Sequence, residues 1–180
     1  WNILWDRIQV DGPLYVRGII QWPTGVGKTI GTLMTIILAK EHCDRNDSLY
    51  RGLFVIPKND ILRTFQINNT PALELLRFFG IRFYDGTEGK LSKLEIPVNR
   101  HCLVAACHAG LVTGNSIASL PPMTHIHYDE VHRITGNIFN EKLTKLMKEW
   151  DTNFLTGTSA TPLTSSSEQH RKLKELFGDP

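Results

Sequence analysis

A chain of 180 residues with a hydrophobic fraction of 41% is long enough for one well-buried domain and short for two. Its formal net charge of +2 excludes attraction to nucleic acid through overall charge, so any such binding must come from where individual Lys and Arg sit. Cys43, Cys102 and Cys107 are scattered with no C-x-x-C pair, which excludes a disulfide framework and a structural zinc site.

No apolar run is long enough to span a bilayer, and no basic-then-apolar leader opens the chain. The expected setting is therefore intracellular (cytoplasm or nucleus, or a host cell for a viral protein), not secreted and without a membrane partner. A start at Trp1 rather than Met fits a piece of a longer chain.

Taken in order, Val16–Trp22 reads as a buried strand, followed by a glycine-rich turn and a helix over Lys28–Glu41. Gly52–Ile56 is a second strand, stopped by Pro57, with a helical pattern from about Asp60 into Phe79. Ile81–Tyr84 and Cys102–Ala106 read as further strands, separated by a polar loop containing Gly86 and Gly89. Pro121 and Pro122 break the chain before a strand at Thr124–Asp129. Asn140–Trp150 is helical, Asn153–Thr156 a strand and Ser167–Phe177 a closing helix. Strands alternating with helices imply parallel crossovers, hence a three-layer, doubly wound α/β sandwich with a mainly parallel sheet. Ligands of such sheets gather at the carboxyl ends of the strands.

The first strand runs into Pro23-Thr24-Gly25-Val26-Gly27-Lys28-Thr29, which opens the first helix; that is the context a P-loop requires. Gly25 and Gly27 let the backbone curl so that its N–H groups face a polyphosphate. The helix N-terminus adds a favourable dipole. Lys28 supplies a point charge for the β- and γ-phosphates, and the Thr29 hydroxyl suits magnesium. The cofactors expected are ATP and Mg2+.

The strand Thr124–Asp129 ends in adjacent acids, Asp129 and Glu130, followed by Val131-His132-Arg133. In a P-loop enzyme an acid here holds magnesium and its neighbour activates the attacking water. Asp129 suits the first role and Glu130 the second, as general base. A third strand end carries Thr158-Ser159-Ala160-Thr161-Pro162.

Together these segments resemble superfamily 2 helicases and translocases, specifically their first, RecA-like motor domain. Pro23–Thr29 resembles motif I, Asp129-Glu130-Val131-His132 the DExH box, and Ser159-Ala160-Thr161 motif III, in family order and over nearly the whole chain. The resemblance implies catalytic roles for Lys28, Asp129 and Glu130, and magnesium ligation by Thr29 and Asp129. It implies that His132, Ser159 and Thr161 couple hydrolysis to movement on nucleic acid. Val55–Leu62 is similar to motif Ia, which would put Pro57, Lys58 and Arg63 against a nucleic-acid backbone. Where the general P-loop pattern has a glycine, this chain has Trp22, a position helicases commonly relax.

No adenine-reading Q motif is visible in Trp1–Tyr15, and the family's second lobe with its arginine finger does not follow. The resemblance therefore implies residues 1–180 as a single lobe of a longer chain, weakly active alone, with that second lobe and nucleic acid as partners. Asp-Glu-Val-His-Arg looks closer to DNA translocases, such as restriction-enzyme motors and large-DNA-virus helicases, than to the DEAD-box RNA group, which favours DNA over RNA.

Other readings compete. His125, His127 and Asp129 alternate on one strand face, as H-x-H-x-D does in a metallohydrolase. That site wants a further histidine where Glu130 stands and leaves the P-loop unexplained. A GTPase would need an N-K-x-D motif, which is absent. A nucleotide-binding interaction module without activity of its own is the bland alternative. Cys107 beside His108 reads as a small core filler rather than a nucleophile, and Trp1, Trp5 and Trp150 as packing.

Overall fold

The computed structural model describes residues 16–22, 27–57, 70–87, 90–113, 119–133, 137–160 and 167–177. Six strands form one sheet: β1 (Val16–Gln21), β2 (Arg51–Ile56), β3 (Arg82–Asp85), β4 (Cys102–Cys107), β5 (His125–Asp129) and β6 (Phe154–Ser159). Their order across the sheet is β1-β6-β5-β2-β4-β3, and every neighbouring pair is parallel. Among the described residues four helices lie between strands, α1 (Lys28–Arg45), α2 (Thr70–Phe78), α3 (His108–Thr113) and α4 (Asn137–Trp150), and α5 (Ser167–Phe177) follows β6.

The all-parallel sheet follows from strands that are apolar on both faces. In β2, Leu53 and Val55 join Val104, Ala106, Ile126 and Tyr128 in the core beneath α3, α4 and α5. The alternate residues Phe54 and Ile56 join Leu103, Ala105, Leu33 and Ile36 beneath α1 and α2. Both cores exclude water almost completely. Each fully buried Leu, Ile or Phe contributes about 1.5–3 kcal/mol. The predicted three-layer α/β sandwich is the one observed.

Some element boundaries differ from the expected ones. The helix expected to end at Glu41 continues to Arg45, held by a Lys40–Asp44 ion pair one turn apart. It stops where Asp47 turns left-handed (φ 49°) and Ser48 donates, from both its amide and its hydroxyl, to the Cys43 carbonyl. The strand expected at Asn153–Thr156 runs on to Ser159, which carries it to the level of Asp129. The short helix α3 and the 3-10 turn at Val131–Arg133 carry no periodic signal and were not expected. Of the helix expected from Asp60, Thr70–Phe78 is described and residues 58–69 lie outside the described residues.

Candidate nucleotide site

Three strands that are adjacent in space, β1, β6 and β5, end together, and each delivers one of the motifs. Trp22 at the end of β1 is tied to β6 by its backbone N–H, 2.9 Å from the Ser159 carbonyl. Gly27 then caps α1 in the left-handed conformation (φ 87°), which a side chain would strain. That turn aims Lys28 in the first helical turn across the end of β6 towards β5.

There Lys28 meets Glu130. The Lys28 ammonium and the Glu130 carboxylate form a direct ion pair, although 102 positions separate them in sequence. Glu130 itself has a left-handed backbone (φ 55°), a conformation that costs a non-glycine residue about 1–2 kcal/mol. This turn ends β5 and folds the carboxylate back over the strand ends. Room for the fold-back comes from Gly157 on β6, where an added Cβ would lie 2.1 Å from Val131. Neither the Glu130 turn nor the Gly157 slot is visible as a motif.

Burial pushes the Glu130 carboxyl up, but the hydrogen bond and charge of Lys28, the Ala160 amide and His132 outweigh it and hold Glu130 below the usual carboxylate range. Asp129 moves the other way. Burial raises it, and the Lys28 charge, the Thr158 hydroxyl and the Glu130 amide only partly offset that and the charge of Glu130. Thr158 Oγ1 donates to Asp129 Oδ1 at 3.0 Å, a partner that sequence reasoning passed over although it directly precedes Ser159. Cross-strand register makes the contact: Asp129 on β5 is opposite Thr158 on β6.

His132 stands beside these acids. Its Nδ1 is 2.9 Å from Ser159 Oγ and 3.3 Å from Glu130 Oε2. Glu130 Oε2 is buried and accepts no hydrogen bond within the described residues. One carboxylate oxygen thus binds Lys28 while the other lies beside His132.

The predicted site residues therefore divide into three groups. Gly27, Lys28, Thr29, Asp129, Glu130, His132 and Ser159 come together at the strand ends. Pro23, Thr24, Gly25, Val26, Lys58, Arg63 and Thr161 lie outside the described residues. Pro57 is at the end of β2, where the Cys107 thiol donates to its carbonyl at 3.6 Å. That contact gives Cys107 a structural role between two strand ends.

The metallohydrolase alternative built on His125, His127 and Asp129 is corrected by the same coordinates. His125 and His127 are fully buried, and all four ring nitrogens are engaged by hydroxyls. His125 contacts Tyr50 and Thr156, and His127 contacts Thr156 and Thr32. Among the described residues no group of three or more His, Cys, Asp and Glu is placed to share a metal. An oxygen pair such as Thr29 and Asp129 instead suits magnesium, which takes one or two protein ligands and completes its shell with phosphate and water.

The family model described as "Type III restriction enzyme, res subunit" matches residues 13–164. The chain belongs to that family. Its fold is that of the first RecA-like lobe of superfamily 2 helicases. Among solved structures it is similar to the Sulfolobus solfataricus SWI2/SNF2 ATPase core in complex with dsDNA, with TM-score 0.65 and 17% identity over 98% of this chain and 34% of that one. It is similar to the Pyrococcus furiosus Hef helicase domain, with TM-score 0.61 and 17% identity over 98% of this chain and 35% of the other. The DUF1998 helicase MrfA gives TM-score 0.60 and 18% identity over 97% of this chain and 28% of the other. This lobe thus spans about a third of the length of the solved chains it matches. No curated protein matches by sequence.

Proposed function

We propose that this lobe binds Mg-ATP between the P-loop and the DExH box and hydrolyses it to drive movement of the full protein along nucleic acid. The observation that carries the reading is the meeting of Lys28 with Glu130, beside Asp129, at one group of strand ends. A P-loop lysine and a pair of acids gathered at one group of strand ends suit a shared triphosphate, which would take the lysine in place of Glu130.

On this reading Lys28 holds the β- and γ-phosphates, and in doing so releases Glu130 from its ion pair. Freed of that partner, the Glu130 carboxylate takes a proton from water lying in line with the γ-phosphate. Thr158 keeps Asp129 oriented. A magnesium ion at Thr29 and Asp129 would draw charge from the phosphate oxygens. His132 and Ser159 report the state of the base to the neighbouring strand end. The proposed partners are a second lobe of the full-length protein, which supplies the arginine that balances transition-state charge, and nucleic acid along Pro57, Lys58 and Arg63. Without the second lobe, turnover is slow. DNA is favoured over RNA by Asp-Glu-Val-His-Arg and by family membership.

The test is ATP hydrolysis by the full-length protein with single-stranded DNA, duplex DNA and RNA, alongside Lys28→Ala and Glu130→Gln. Hydrolysis stimulated by DNA and abolished by both substitutions is the expected result. Hydrolysis indifferent to both would overturn the reading.

A further inference from the structure

Beneath the nucleotide site lies a chain of buried polar side chains in what is otherwise an apolar core. Tyr50, His125, His127, Thr156 and Thr32 are each at most 5% exposed. Thr156 Oγ1 is 2.6 Å from His125 Nε2 and 2.8 Å from His127 Nδ1. Tyr50 OH is 3.0 Å from His125 Nδ1, and Thr32 Oγ1 is 3.1 Å from His127 Nε2.

The hydrogen count gives this chain a direction. Thr156 has one hydrogen for two ring nitrogens, so it donates to one and accepts from the other. The Tyr50 hydroxyl is fully buried and needs an acceptor, which His125 Nδ1 provides. It follows that His125 Nε2–H donates to Thr156, Thr156 donates to His127 Nδ1, and His127 Nε2–H donates to Thr32. Every ring nitrogen is then satisfied with both imidazoles neutral.

Its placement relates it to the chemistry above. Lys28 and Thr32 are one helical turn apart on α1, about 6 Å of rise. Asp129 and His127 are two residues apart on the same face of β5, about 6.6 Å. Thr158 and Thr156 repeat that step on β6, directly opposite. The contacts of Lys28 with Glu130 and of Thr158 with Asp129 form one layer. Those of Thr32 and Thr156 with His127 form the layer below. The His127 imidazole thus ties β5, in that lower layer, to the P-loop helix and to β6.

We propose that His127 is a positioning residue for the reaction: through Thr32 and Thr156 it sets the height of the P-loop helix against the strands that carry Asp129, Glu130 and Ser159. An apolar contact at this level would be equally buried but free to slide. A hydrogen bond fixes distance and direction. Nucleotide binding depends chiefly on the loop and the start of α1. Attack by water depends on the spacing between that helix and β5. Loss of the link therefore lowers kcat and leaves KM for ATP nearly unchanged. This inference rests on the ATPase reading above.

The experiment compares Thr32→Val, Thr32→Ser and Thr156→Val in the full-length protein at saturating Mg-ATP, well below the melting temperature. Thr32→Val removes the hydroxyl at constant shape and is expected to lower kcat at least about tenfold, because displacements near 1 Å carry such penalties. Thr32→Ser restores the hydroxyl and should stay within about threefold of the parent. The double variant Thr32→Val/Thr156→Val should fall well short of the product of the single effects, since both act through one imidazole. If Thr156→Val fails to fold, the Val and Ser pair at Thr32 still decides. A lower melting temperature with unchanged kcat, a raised KM alone, or a Ser variant as slow as the Val variant would overturn the proposal. A parent protein whose hydrolysis ignores Lys28→Ala would instead sink the ATPase reading, and this inference with it.

Discussion

His132 Nδ1 is shared between two strand ends, 2.9 Å from Ser159 Oγ and 3.3 Å from the acceptor oxygen of Glu130. A change in what Glu130 binds therefore reaches the end of β6 by two routes, the Ala160 amide and this imidazole. Ser159→Ala removes the second of them. The expected outcome is a fall of about tenfold in the ratio of ATPase rates with and without DNA, the size one hydrogen bond of roughly 1.4 kcal/mol supplies. Steady-state hydrolysis over a DNA titration measures it, and an unaltered ratio would count against a coupling role for this pair.

Lys28 and Glu130 make opposite contributions that two substitutions separate. Glu130→Gln keeps the side-chain shape and its left-handed backbone but removes the base, so turnover should fall by about 10²–10⁴ while a fluorescent ATP analogue still binds. Lys28→Ala leaves burial of the Glu130 carboxyl less opposed, so its pKa rises from its depressed position. A carboxyl-carbon NMR titration of the two proteins reads that shift directly. A downward or absent shift would contradict the ion pair.

Trp22 stands where other P-loops carry glycine, and its indole covers Gly31 of α1. An added Cβ there would lie 2.5 Å from the ring. Gly31→Ala is expected to cost about 1–3 kcal/mol through overpacking, which lowers the melting temperature by roughly 2–4 °C per kcal/mol in a protein of this size. Trp22→Ala in the same chain should recover part of the loss. Thermal unfolding of the single and double variants tests this, and additive losses would place the Gly31 constraint elsewhere.

The two buried histidines set a direction for acid stability. Burial pushes His125 well below its ordinary value, and His127 down to about 3. Above about pH 6.5 both are neutral in the folded and unfolded chains and contribute no pH dependence. As pH falls below that, the unfolded chain takes up protons first, so stability declines from pH 6.5 towards 3, by up to about 1.4 kcal/mol per pH unit for each histidine. Urea midpoints at pH 7, 6 and 5 should fall in that order, with a shallower trend in His127→Asn. A flat profile would show that the imidazoles titrate normally.

Much of this protein is legible in its residues alone. Strand–glycine turn–helix at Lys28, paired acids at Asp129 and Glu130, and a hydroxyl segment at Ser159 are local patterns. Each is set by a chemical need that short stretches of chain can express. Apolar runs flanked by turns likewise declare parallel strands. Only the tertiary structure decided what these segments meet. The Lys28–Glu130 contact spans 102 positions, and Thr158 reaches Asp129 through strand register, which no spacing along the chain encodes. His125 and His127 make the same point most sharply. Alternation along a strand makes them candidates for a metal, while Thr156 on β6, Thr32 on α1 and Tyr50 ahead of β2 supply the hydroxyls that occupy them. Along the chain the alternation only puts two histidines on one face; what lies across from them is settled by long-range pairing, because burial and cross-strand contact are properties of the assembled sheet.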